Sequence, residues 1–200
     1  MGCLKFKNIV ATALAVLLLA VLVASCAPAP PPPPPPPAPP AGTFDVNPPK
    51  ISYATLEKSW PVVAKVLKIP EETAAKMPVS LAVLGIPVIF EGTGWKAGDQ
   101  VLIELVLPSG VRLTGMKPEE DSVGLAFGAV DATGHFMATM DTVAKLNWLL
   151  GSGITASLTP DLKNVKPLPN GVYTVRASGM DPRTVATIKW ELEFTAPATK

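Results

Sequence analysis

The chain has 200 residues, 17 basic against 16 acidic side chains and a formal charge of +1. That balance argues against the strongly basic surface of a nucleic-acid binder. With two cysteines and one histidine, it also lacks the donors for a disulfide scaffold or a histidine-rich metal site.

Lys5 and Lys7 precede an apolar run over 9–24 that only Thr12 interrupts, and no acidic residue comes before Asp45. This is the layout of an export signal, too short for a spanning helix of ~20 apolar residues. Val23, Ala24, Ser25 and Cys26 close the run. A branched apolar residue, two small residues and cysteine resemble the lipobox of bacterial lipoproteins. The resemblance implies cleavage before Cys26, a diacylglycerol thioether on its sulfur and often a further acyl chain such as palmitate. It places the protein on a bacterial cell membrane, anchored through lipid and facing the periplasm or the exterior. An uncleaved anchor and cleavage by the ordinary signal peptidase are the alternatives. Each buried methylene contributes ~0.8 kcal/mol, so two or three chains hold where one is marginal.

On that reading Cys3 leaves with the signal and Cys26 carries lipid, so the exported domain has neither a disulfide nor a thiol nucleophile. Loss of Lys5 and Lys7 leaves 15 basic residues against 16 acidic, a charge of −1. From 28 to 40 every residue is proline except Ala29 and Ala38. Proline fixes φ and lacks the amide hydrogen, so this run forms a polyproline II spacer of roughly 40 Å. The reading divides the chain into a signal at 1–25, a lipidated cysteine and linker at 26–49, a helical lead-in at 50–78 and a β domain at 79–196.

An extended leader is expected over 41–49. In the lead-in, Pro61 suits the first turn of a helix, so Trp60 precedes a short helix to Leu67. Pro70, Glu71, Glu72 and Lys76 suit the two ends of a second, since acids favour the first turn and lysine the last. From Pro78 the pattern predicts strands at 79–84, 87–91, 100–107, 111–114, 123–130, 135–140, 171–178 and 184–195. Val101, Ile103, Leu105 and Leu107 share one face of the third. Residues 131–134 join 123–130 to 135–140 as a hairpin. Val143, Leu146, Leu149 and Leu150 are spaced as one face of a helix over 142–150.

Three segments carry a second resemblance. Glu-Gly-Thr-Gly-Trp-Lys-Ala-Gly-Asp-Gln-Val-Leu-Ile at 91–103 contains Gly92, Gly94, Trp95 and Gly98. Asp-Ala-Thr-Gly-His-Phe-Met-Ala at 131–138 contains Gly134, and Asn-Gly-Val-Tyr-Thr-Val-Arg-Ala at 170–177 contains Gly171 and Tyr173. In this order they are similar to the strands and glycine turns of bacterial immunoglobulin-like surface modules. The resemblance implies a mainly β, immunoglobulin-like sandwich with short N-terminal helices and one inserted helix, in which Trp95 plugs one end.

No residue pattern points to catalysis or to a cofactor. His135 lies in a turn, where an exposed polar role is expected. Glu119, Glu120 and Asp121 form an acidic loop without the alternating spacing of a dedicated calcium loop; a solvated loop is the simpler reading. Glu91, Asp99, Glu104, Asp131 and Asp141 fall near strand ends, and a hydrolase would need two of them ~5–9 Å apart. Of the four tryptophans, Trp95, Trp148 and Trp190 suit the core, while Trp60 is expected to be exposed. The sequence thus points to a non-catalytic interaction module meeting an envelope protein through Glu119, Glu120, Asp121 and the 142–154 segment around Trp148. A polysaccharide- or ligand-binding module using Trp60 and Trp148 is the alternative, and a glycoside hydrolase the third reading.

Overall fold

A computed structural model of the chain describes residues 42–113, 115–153, 159–181 and 183–197. The export signal with Val23, Ala24, Ser25 and Cys26, and the polyproline run, lie outside the described residues. Two sheets form the frame. The small antiparallel sheet holds β1 (Thr43–Asn47), β3 (Ile89–Thr93) and β6 (Phe136–Thr139), in the order β1-β3-β6. The large one holds β2 (Lys50–Ile51), β4 (Gln100–Val106), β5 (Ser122–Ala129), β7 (Gly171–Ser178) and β8 (Val185–Leu192). Its order is β2-β8-β7-β4-β5, with β2 parallel to β8 and the remaining pairs antiparallel. The fold is mainly β and sandwich-like.

Alternation explains the inner faces. Val101, Ile103 and Leu105 on β4, and Tyr173, Val175 and Ala177 on β7, are all buried, as a period of two requires when one face meets the core. Trp190 on β8 faces the small sheet, with its ring edge-on to Phe90 at 6.3 Å between centroids. Phe44 lies 6.2 Å from Phe90 and 6.4 Å from Phe136. The outer face of the large sheet is mixed, with Phe127 and Val172 exposed beside a polar cluster. There Arg176 donates to Glu104 at 3.1 Å and to Ser122 at 3.0 Å, and Ser122 donates to the other Glu104 oxygen at 2.9 Å. Lys50 bridges Glu191 at 2.9 Å and Glu193 at 2.8 Å, clamping the two-residue β2 onto β8.

One end is closed by Trp95. Its indole nitrogen donates to the Thr43 carbonyl at 3.0 Å, its amide donates to the Gly134 carbonyl at 3.0 Å, and its ring meets Phe136 edge-on at 5.5 Å. Gly134 has φ +80°, and a Cβ there would stand 2.7 Å from the Trp95 carbonyl oxygen. Glycine is required at that turn on both counts. Tyr173 is pinned by its hydroxyl, which donates to the Pro169 carbonyl at 2.7 Å. Gly171 opens β7, and Gly94 and Gly98 belong to the turn around Trp95.

Several expectations are corrected. The leader at 41–49 contains β1, paired with β3 over its whole length; Phe44 and Val46 point inward while Thr43, Asp45 and Asn47 point outward. The helical segment is therefore an insertion between β2 and β3 and not a lead-in. Its first helix, α1 (Tyr53–Val66), starts well before Trp60, because Ser52 accepts the Thr55 amide at 3.2 Å and caps it. Pro61 sits inside α1, on its exposed side. The second helix, α2, is the single turn Glu71–Ala74. The strand expected at 79–84 is a 3-10 helix, Val79–Gly85, because a continuous apolar run buried on several sides has no strand period. Residues 111–113 form no strand, and 114 lies outside the described residues.

The expected hairpin at 123–140 is a crossing between sheets. Asp131 closes the turn, accepting the Thr133 and His135 amides at 2.8 and 3.0 Å. β5 then pairs with β4 and β6 with β3. In the 142–150 segment an α-turn, α3 (Thr142–Ala144), runs into a π-helical turn, Lys145–Leu149. The wider turn buries Ala144, Lys145, Leu149 and Leu150 and leaves Val143 exposed.

Two substitutions test this account in urea denaturation. Gly128→Val, whose first added carbon would stand 2.7 Å from the Phe136 ring, is expected to cost about 1–3 kcal/mol. Tyr173→Phe, which removes only the hydroxyl, is expected to cost about 1 kcal/mol.

Candidate interaction surface

The helical insertion builds a concave, largely apolar surface. Leu56, Trp60, Val63 and Ala64 form the buried stripe of α1, following the i, i+4, i+7, i+8 spacing of an amphipathic helix. This stripe packs on the 3-10 helix, where Gly85 leaves no room for a Cβ beside Val63. Trp60, expected to be exposed, is only 7% exposed, and its indole nitrogen donates to the Ala74 carbonyl at 3.1 Å. That bond ties the α2 turn to α1 and makes the indole the floor of a groove of about 500 Å3. The groove runs between Pro61, Ala64 and Ile69 on one side and Ala74 and Ala75 on the other, with Lys65 and Glu71 at its rim. Beyond Ile69 a second depression of about 490 Å3 continues to Pro160 and Leu162.

The residues singled out in the sequence are dispersed. In the acidic loop Glu119 and Asp121 are exposed, while the Glu120 carboxylate accepts the Lys117 amide at 2.9 Å. The loop carbonyls of Lys117, Pro118 and Glu120 converge on the Arg112 guanidinium at 3.2, 2.5 and 2.6 Å. Arg112, from the stretch before the loop, thus occupies its carbonyl oxygens, while the Glu119 and Asp121 carboxylates stay exposed. Trp148 is half-buried and packs against the core from the π-helical turn. Lys145 beside it is 4% exposed and donates to the Ile86 carbonyl at 2.5 Å. Burial pushes its ammonium below the ordinary 10.5, with nearby Asp141 pulling the other way.

The carboxylates considered for hydrolysis mostly have structural partners. Asp99 accepts the Gln100 and Met180 amides at 3.0 and 3.3 Å, and Asp141 caps α3 through the Ala144 amide at 2.7 Å. Glu104 is paired with Arg176, and Asp131 holds its turn. Hydrogen bonds from Thr133 and His135 hold the Asp131 carboxyl below the usual range. Glu91 stands opposite Asp45 across β1 and β3, and both line a shallow depression of about 300 Å3 with His135. His135 is half-exposed, 3.8 Å from Asp131. Among the described residues no three His, Cys, Asp or Glu side chains gather as metal ligands.

No family model matches this sequence, and none of the curated proteins does. Among solved structures the chain is similar to a β-glucosidase from Listeria innocua in complex with isofagomine, and to the same enzyme in complex with glucose. Each comparison has 13% identity and a TM-score of 0.28, over 76% of this chain and 16% of that one. Likeness at that level decides neither fold detail nor activity.

Lys145 generates a pH prediction. Its folded value is lowered, so between that value and 10.5 the unfolded chain holds a proton that the folded chain has released. Stability therefore rises with pH across that window. Denaturation midpoints measured from neutral pH upward should show the rise in the parent, and Lys145→Met should remove it. Trp148→Ala should cost about 1–3 kcal/mol, less than the ~3–5 kcal/mol of a fully buried tryptophan.

Proposed function

We propose that this chain is a membrane-anchored envelope lipoprotein, displaying a non-catalytic immunoglobulin-like interaction module on a polyproline stalk. The anchor rests on the lipobox-like Val23, Ala24, Ser25 and Cys26 and the apolar run before them. The immunoglobulin-like reading is supported by a strand that switches sheets after β1 and by the hydroxyl of Tyr173. That hydroxyl bonds back four residues to Pro169 near the start of the penultimate strand, in the manner of a tyrosine corner.

One observation carries the interaction role. The insertion between β2 and β3 presents an apolar groove floored by Trp60, whereas Asp99, Glu104, Asp131 and Asp141 serve as caps and ion-pair partners. A groove of this kind suits an apolar segment of an envelope protein, with Lys65 and Glu71 setting its orientation. The acidic loop keeps Glu119 and Asp121 exposed, with its backbone carbonyls held by Arg112. Stacking on a polysaccharide, which needs two exposed indoles, is left with the half-buried Trp148 alone. Trp60, Trp95 and Trp190 are buried and donate to backbone carbonyls.

Two measurements test the reading. Cys26→Ser should abolish incorporation of labelled palmitate and release the protein from membranes; retention of label would refute lipidation at this residue. In intact cells, cross-linking should give a reproducible protein adduct that is lost in Ala75→Arg, which fills the groove from an exposed position. An adduct unaffected by that substitution would remove the groove from the account.

A further inference from the structure

Three of the eight large apolar side chains exposed among the described residues lie together on α1 and its C-cap. Val62, Val66 and Leu67 lie within six residues of one another and are 65%, 75% and 43% exposed. The same stretch carries Lys58, Lys65 and Lys68, all exposed. No carboxylate stands within ion-pair distance of these lysines among the described residues. The 100° step of a helix sets Val62 and Val66 on one flank with Lys58 and Lys65 beside them. Glu71 shares the groove rim with Lys65, and the exposed Glu57 of α1 lies on the Pro61 side of the helix, so both acids stand away from the valines.

We infer that this flank of α1 docks the domain onto an anionic bilayer. Val62, Val66 and Leu67 enter the headgroup boundary while Lys58, Lys65 and Lys68 meet lipid phosphates. Aliphatic tips bordered by unpaired lysines match that surface, because the lysine stems extend the apolar contact and the ammonium groups stay at the phosphate level. Each lysine near an anionic leaflet is worth about fivefold in partitioning. Three aliphatic side chains fall short of the roughly 800 Å2 per partner of a stable protein interface, which favours lipid as the occupant. Tether length supplies the second argument, and here the inference rests on the anchored reading above. Fifteen residues, 27–41, separate the expected lipid site at Cys26 from Gly42, a reach of roughly 50 Å. Docking is then intramolecular, and weak contacts suffice at the high effective concentration of a short tether.

The test uses the acylated full chain carrying Val66→Cys with a nitroxide label, in vesicles of phosphatidylcholine alone or mixed with phosphatidylglycerol. The expected result is a several-fold drop in the label's accessibility to a water-soluble relaxation reagent in the mixed vesicles only. Replacing Lys58, Lys65 and Lys68 by Gln should reverse the drop. A label at Thr187, on the outer face of the large sheet, should stay accessible in both. Equal accessibility of the Val66 label in both vesicles, with the protein floating alongside them, overturns the inference. Shielding seen only in native envelope membranes also overturns it and assigns the flank to a protein. Protein that fails to float refutes the anchor instead. Cosedimentation of the unacylated chain with phosphatidylglycerol vesicles then decides the docking by itself: binding sustains it and no binding ends it.

Discussion

The arrangement of both sheets depends on the space made for one ring. Phe136 lies where a Cβ on Gly92 of the small sheet or on Gly128 of the large sheet would run into it. Both glycines are buried strand positions, where glycine ordinarily weakens a sheet. Here their absent side chains let the sheets approach around an aromatic group. Trp95 then closes the stack edge-on and reaches over to the Thr43 carbonyl. β1, β3, β6 and the turn before β4 are thereby held by one cluster, and the crossing from β5 to β6 follows from it.

The strands that alternate cleanly were legible in the sequence. β4, β7 and β8 fall close to their expected bounds, because each presents one apolar face over seven or eight residues. The failures are physically distinct. β1 is five residues long and follows a proline-rich segment, so its alternation was read as leader. In the run Val79–Gly85 four consecutive residues, Ser80 to Val83, are buried, and such a stretch carries no period to separate strand from helix. The turn at 131–134 has the chemistry of a hairpin, yet a turn fixes only where the chain reverses. Which sheet each arm joins is decided by Phe136 and its two glycines, a contact between distant residues.

The candidate surface was less legible than the fold. Trp60 drew attention as an exposed aromatic, but the Ala74 carbonyl that binds its indole is fourteen residues away. Val62 and Val66, spaced one turn apart, did carry a signal. Pro61 masks it, because proline suits the first turn of a helix and so sets an expected start two turns inside the real one. In the acidic loop the carboxylates are visible in the sequence, whereas the Arg112 guanidinium that its carbonyls enclose comes from a stretch five to eight residues upstream. Local charge runs report composition, and only the fold says which oxygen is already engaged.

The placement of β1 has a mechanical consequence. Any tension transmitted through residues before Gly42 enters the domain at β1, whose sheet partner is β3 alone. Because the strands are antiparallel and in register from Thr43 to Asn47, a pull along the strand loads their hydrogen bonds together in shear. Pulling across the strand would open them one at a time. Trp95 fastens the same end, with its indole lying where a side chain on Gly42 would be. A domain built this way takes load from its N-terminal side through its reinforced end, and the direction of that load decides how long it stays folded.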